Sequence, residues 1–307
     1  TLRIVNLTSY AKHKMASTVE AARDAYSMFY ILDPHFHTCS LFTMSARLFI
    51  LVFLLLTGKM PSSFAVESQI VPTAMPSGGL KSAGEFFAAI DAQCQPNWSQ
   101  IVPSPAATTP PAREALALQL GVLFTDAFAA IQANNGQGVK NTLHEITALT
   151  KKLNLNQNIL ARNKCISDFA DKGSWDELQL EITSAQEDVI TGMRRQNDRD
   201  LIVFLLAGSW IRQIDIATTL LTTNPKPELA SLLAQSSAAE ELLAGFEKLP
   251  EPIRKANLSV MLVQGLLAAR DSMLKTSGGP LPDAAIKELP PTTTHILNHI
   301  ATPITRP

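Results

Sequence analysis

Few residues in this chain have the type and spacing that chemistry requires. His295 and His299 stand four apart, which puts two imidazoles on one helix face and suits a divalent metal. HILNH lacks the glutamate of a zincin helix, however, and His144 is distant in sequence, so surface histidines are expected and no metal site is assigned. Arg212 and Asp215 interrupt a strongly apolar run just after Trp210, and Asp126 interrupts another, FTDAFAAI. Charges in such places require partners. An ion pair within one helix plus a buried bond to a second helix is the expected arrangement. The alternative is a ligand cleft in which Arg212 holds an anion, Trp210 supplies a stacking face, and Asp126 and Asp215 contribute carboxylates. The polar corner IQANNGQGVKN, 131–141, could meet a partner through Asn134, Asn135, Gln137 and Lys140, although such corners are commonly solvated turns. There is no phosphate-cradling glycine loop, no paired-cysteine zinc spacing and no nucleophile elbow, so no catalytic residue and no cofactor are implied.

What must position these residues follows from composition and pattern. The 307 residues carry 26 Lys+Arg against 27 Asp+Glu, with 46% hydrophobic residues and 17% charged. That balance excludes a polybasic nucleic-acid binder and a charge-rich disordered chain. A segment from Met44 reads as a secretory signal peptide: Arg47 is its positive start, and Leu48 to Leu56 give an apolar stretch too short to span a bilayer. Ser63 and Ala65 supply the small residues that a signal peptidase reads, so residues 44–65 form the expected leader, with cleavage after Ala65. Residues 1–43 are then an over-extended start without structure. Residues 66–81 are a flexible mature N-terminus. Removing 1–65 leaves 20 basic and 24 acidic residues, a mild acidity that disfavours nucleic acid and anionic lipid as partners. No membrane span remains after cleavage. In an oxidising compartment Cys94 and Cys165 could pair, or could remain two separate thiols, and both readings stay open.

Between residues 82 and 302 the pattern is helical. Ser82 and Glu85 make a capping box, and Ser174 with Glu177 makes another. Leu116, Leu120, Leu123, Ala127 and Ile131 recur at helical spacing up to Asn134-Asn135-Gly136. Leu178, Ile182, Ala185, Val189 and Met193 mark an amphipathic helix, and Asn197 or Asp198 caps the next one. LIVFLLA, 201–207, is apolar on every face and belongs in the middle of the array, although its apolar run is too short for a membrane span. Helices near 227–246, 252–276 and 293–301 follow. GSW occurs at 173–175 and again at 208–210, in neighbourhoods too different to indicate a repeat. No sustained alternation marks a strand. The expected fold is therefore all-α, a single helical domain at 82–302, built as an irregular antiparallel bundle or a short helical-hairpin stack of about seven to nine helices.

The segments DAFAAIQANNGQGVKN, NILARNKCISDFA, WDELQLEITSAQEDVITGM and LAGSWIRQIDIATTLL, in that order, resemble an uncharacterised family of exported all-helical proteins of Gram-negative bacteria. The resemblance implies a periplasmic or secreted helical domain and transfers no activity. The expected function is non-catalytic binding of a protein or small-molecule partner. The alternative is a periplasmic enzyme with a polar cleft around Asp126, Arg212 and Asp215.

Overall fold

A computed structural model describes residues 80–103, 112–234, 236–275 and 280–301, which belong to one compact unit, Gln69–Pro307. The expected leader at 44–65 with its cleavage point, the 1–43 stretch and nearly all of 66–81 lie outside the described residues. The chain is all-α: no strand occurs among the described residues. Nine helices have eleven residues or more: α1 Ala83–Cys94, α2 Arg113–Gln132, α3 Gly136–Lys152, α4 Asn156–Lys172, α5 Trp175–Arg195, α6 Arg199–Thr223, α8 Ser237–Glu247, α10 Asn257–Leu274 and α11 Asp283–Ala301. Two short ones, α7 Pro227–Leu233 and α9 Glu251–Arg254, and a 3₁₀ turn at Trp98–Gln100 complete the array.

The corners from α2 to α6 share one device. Asn134, Asn154, Gly173 and Asn197 have φ of 52°, 60°, 66° and 59°, the left-handed conformation that glycine and asparagine tolerate best. Each lets the following amide turn back onto a carbonyl five residues earlier: Asn135 N–H to Ala130, Leu155 to Thr150, Ser174 to Phe169 and Asp198 to Met193. This closes each helix by a Schellman motif, and a new helix starts within two residues of the left-handed one. Successive helices therefore run antiparallel.

Because four such reversals separate α2 from α6, these two run in the same direction. Arg113 meets Asp198, Thr125 meets Ser209, and Asp126 meets Arg212, in step along both helices. Their approach is very close. A Cβ at Gly121 would lie 1.9 Å from the carbonyl oxygen of Leu205, and one at Gly208 would lie 1.9 Å from that of Leu118. Thr125 Oγ1 and Ser209 Oγ share a hydrogen bond of 2.9 Å across this buried seam. The central pair is thus parallel, as helices an even number of reversals apart must be. Helices α3, α4 and α5 pack in sequence from α2, and α5 returns against both α2 and α6. α1, α7, α8 and α11 cover the rest of α6, with α10 packed on α8 and α11.

Both central helices are apolar nearly all round, as the position demands. They are long and apolar enough to cross a membrane, with mean hydropathy 1.5 for α2 and 1.4 for α6, and they lie 83% and 78% buried by the other helices. The expectation that the 201–211 run is too short for a span is corrected: the helix extends to Thr223 because Ile211, Ile214, Ile216, Ala217, Leu220 and Leu221 continue the buried surface.

Other expectations change in detail. The Ser82–Glu85 capping box is present, with Ser82 Oγ accepting from Glu85 N–H at 3.2 Å and Glu85 Oε2 accepting from Ser82 N–H at 2.9 Å. The one at Ser174 is not: Ser174 is the N-cap of α5 and makes no capping bond from its side chain. Asp198 is the N-cap of α6, yet its carboxylate grips Arg113 instead of capping, with bonds of 3.0 and 2.6 Å. The expected 227–246 and 252–276 helices are each broken in two. The last helix begins at Asp283, ten residues early, and carries Pro290 and Pro291 within it. The two GSW copies differ in role, Gly173 reversing the chain and Gly208 admitting a neighbouring helix.

Candidate functional site

The site is best built from α6 outward. Arg212 lies in the middle of this helix with its side chain 7% exposed, and three of its nitrogens donate to three different elements. Nε donates to Asp126 Oδ1 of α2 at 2.7 Å, one of the contacts that Asp126 makes. Nη1 donates to Asp215 Oδ2, one turn on in α6. Nη2 donates to the carbonyl oxygen of Val102 at 2.6 Å. The last contact depends on the chain after α1. Gln95 turns the backbone at φ 44°, the 3₁₀ turn docks Trp98 on Phe87 with ring centroids 5.2 Å apart, and Trp98 Nε1–H donates to Asp91 Oδ1 at 3.0 Å. Gln100 Nε2 then donates to Thr223 Oγ1 at 2.8 Å, at the far end of α6, which draws Val102 across Arg212.

Thr293 of α11 adds a fourth element, its hydroxyl lying 3.3 Å from Asp215 Oδ1 and 3.3 Å from the carbonyl of Leu289. Asp126 and Asp215 are 2% and 15% exposed at the side chain. Glu145 of α3, half-buried, lies near enough to feel the charge of Asp126. Burial, and secondarily the charge of Asp126, push its carboxyl above the usual glutamate range, against a smaller opposing pull from His144. One guanidinium therefore serves two carboxylates directly, with a third nearby.

Of the residues singled out from sequence, Asp126, Arg212 and Asp215 come together, and they converge on each other instead of around an opening. Trp210 does not join them. Two residues from Arg212 on a 100°-per-residue helix, it points to nearly the opposite side and lines a separate cleft with Gln213 and Ile214. Trp210 therefore does not supply the stacking face beside Arg212 that the alternative, the ligand cleft, called for. A sequence reading could not have supplied Val102, which contributes a backbone carbonyl and so carries no side-chain signal, nor Glu145, whose proximity depends on how α3 returns along α2.

At the corner 131–141, Asn134, Asn135 and Gln137 are exposed, and Lys140 is half-buried. Asn135 is the N-cap of α3, its Oδ1 accepting from Gly138 N–H at 2.8 Å, while Lys140 already lies in the helix and pairs with Asp171 of α4 at 2.6 Å. Gly136 leaves no room for a Cβ, which would lie 2.6 Å from the carbonyl oxygen of Ala170. The corner is a packed joint between α2, α3 and α4.

Cys94 is a free thiol, 2% exposed, so the Cys94–Cys165 bridge is not formed. The reason is placement: α1, which ends in Cys94, packs on α2, α6 and α7, whereas α4, which carries Cys165, packs on α3 and α5. Burial raises the Cys94 thiol above its ordinary range, partly offset by the charge of Lys226. His295 is exposed on α11, and His299, on the same helix, has a side chain outside the described residues. No group of three or more His, Cys, Asp or Glu side chains among the described residues could hold a metal.

The class these observations define is an all-α protein with a parallel, glycine-seated helix pair at its centre and an ion cluster locked across that pair. No family model matches the chain, and no curated protein or solved structure matches it either.

Proposed function

We propose that this chain is an exported, non-catalytic binding or interaction domain. The observation that carries the non-catalytic half is the use of Arg212. A guanidinium available to a substrate needs unspent donors facing solvent, and here three nitrogens of a 7% exposed side chain donate to Asp126, Asp215 and the backbone carbonyl of Val102. The alternative reading, an enzyme built on these three side chains, requires a reacting atom to reach them, and the cleft beside α6 is lined by other residues. Support for export is the ordered signal-peptide pattern from Met44 to Ala65.

Two measurements test the two halves. Fractionation of cells expressing the chain, with mass spectrometry of the product, should find it outside the cytosol and starting at Val66; an intact leader inside the cell refutes export. The Arg212→Met variant separates structure from catalysis. It takes the guanidinium away from the buried carboxylates of Asp126 and Asp215 and should lower stability by about 3–5 kcal/mol. A folded Arg212→Met protein that abolishes a turnover measurable in the parent chain would overturn the non-catalytic reading.

A further inference from the structure

We propose that the cleft walled by α1, α6 and the α7–α8 segment binds the carboxyl end of a peptide whose last residue is apolar; this deepens the binding reading above and rests on it. Its floor and walls include Phe86, Leu232 and Leu233, with Trp210 and Gln213 beside them and Lys81 at the rim. Trp210 and Gln213 are 5% and 3% exposed. Gln213 Nε2 donates to Ser209 Oγ at 3.2 Å, whereas Gln213 Oε1 and the indole N–H of Trp210 make no hydrogen bond within the described protein. Neither atom is sealed from water. Both residues are almost wholly buried and line the cleft, so what surface they retain opens into it. Open to the cleft, the indole N–H and the amide oxygen are a donor and an acceptor that a ligand entering it would meet in place of water.

The chemistry selects the ligand. A donor and an acceptor held on neighbouring turns match the carbonyl and N–H of an amide. Lys81 is exposed and has no ion pair among the described residues, so it matches a carboxylate. Nearby carboxylates are otherwise engaged: Glu85 accepts from Ser82 N–H and O–H, and Glu241 Oε2 accepts from Leu80 N–H at 3.3 Å. The cleft is partly open and its cavity volume is only ≈ 20 Å³, enough to seat the tip of one side chain and too small for a long acyl tail or a cofactor. An amide, a carboxylate and one apolar side chain in close succession describe a peptide terminus.

The test uses the full chain, with N-acetyl-leucine as the minimal probe and N-acetyl-leucinamide as its uncharged counterpart. The three tryptophans give three indole N–H signals in a nitrogen-correlated NMR spectrum, and a Trp210→Phe variant assigns the relevant one. N-acetyl-leucine should move the Trp210 signal saturably. The amide should bind about fivefold more weakly, the worth of one rim ion pair. Lys81→Gln, at an exposed position, should weaken the acid to the same degree and leave the amide unchanged. The tripeptide Ala-Ala-Leu should bind at least as tightly as N-acetyl-leucine. An unmoved Trp210 signal, equal affinity for acid and amide, or weaker binding of the tripeptide overturns the proposal. Release of acetate from N-acetyl-leucine would refute the non-catalytic reading and leave the site in place, whereas absence of binding would remove the site and leave that reading standing.

Discussion

Replacing Gly208 by alanine tests the central crossing most directly. The added Cβ would lie 1.9 Å from the carbonyl oxygen of Leu118, while ordinary contact begins at 3.4 Å. The obstacle is backbone inside a helix, so no rotamer change relieves it, and the two helices must separate by about 1.5 Å. A shift of that size would stretch Arg212 Nε to Asp126 Oδ1 from 2.7 Å to about 4 Å and break the 2.9 Å bond between Thr125 and Ser209. Overpacking of this kind costs about 1–3 kcal/mol, and breaking a buried pair adds to it. Against this stands the helix preference for alanine over glycine, worth about 1 kcal/mol. The net expectation is destabilisation by at least about 2 kcal/mol, a drop in Tm of roughly 4–8 °C for a domain of this size. Gly245→Ala is the internal control. It gains the same preference, and its Cβ meets only the side chain of Val203, Cγ1 at 3.3 Å and Cγ2 at 3.6 Å, which can adjust. Urea unfolding followed by circular dichroism should rank Gly245→Ala at or above the parent and Gly208→Ala well below it. Equal stability of the two variants would refute the claim that α2 and α6 meet backbone to backbone.

Three further outcomes are expected. Glu145→Gln should stabilise the protein at neutral pH. Because the folded carboxyl is pushed up, the native state holds its proton to higher pH than the unfolded chain does, so Glu145 costs stability increasingly as pH rises through and above the ordinary glutamate value of about 4.3. Thermal melts of both proteins should therefore diverge at pH 7 and converge at about pH 3; a variant that is less stable at pH 7 contradicts the assignment. At the α3–α4 corner, Asn154→Ala keeps a β-carbon at a φ of 60° but loses the short polar side chain that makes this conformation tolerable, and should cost about 1 kcal/mol, whereas Asn154→Gly should be tolerated, as denaturant midpoints will show. Finally, the Cys94 thiol should resist iodoacetamide in the native protein and react after unfolding in urea, since it is buried and its deprotonation is suppressed. Native-state labelling of Cys94 at the rate of a free peptide thiol would place α1 elsewhere.

How far the candidate site was legible follows from the same geometry. Charges interrupting apolar helices announce that Asp126, Arg212 and Asp215 need partners, and all three do meet. That Trp210 faces away is also implicit in its two-residue offset from Arg212, once both lie on one continuous helix. The Val102 carbonyl, by contrast, arrives through a turn, an aromatic stack and a side-chain bond spread over several elements, none of which has a period or a composition signature.

Local physics is written in the residues themselves. The 3.6-residue recurrence of apolar side chains, the capping box at Ser82, and the asparagines and glycine that alone accept the left-handed corners yield an all-α chain with its helix order. Each of these depends on interactions within a few residues, so a single sequence contains them whole. Which helices become neighbours is different. Gly121 and Gly208 look like ordinary small residues until two backbones are brought together in parallel. Cys94 and Cys165 look like a pair until α1 and α4 fall into different layers. Such outcomes are decided by how all the buried surfaces pack at once, a sum over long-range contacts that no local window holds.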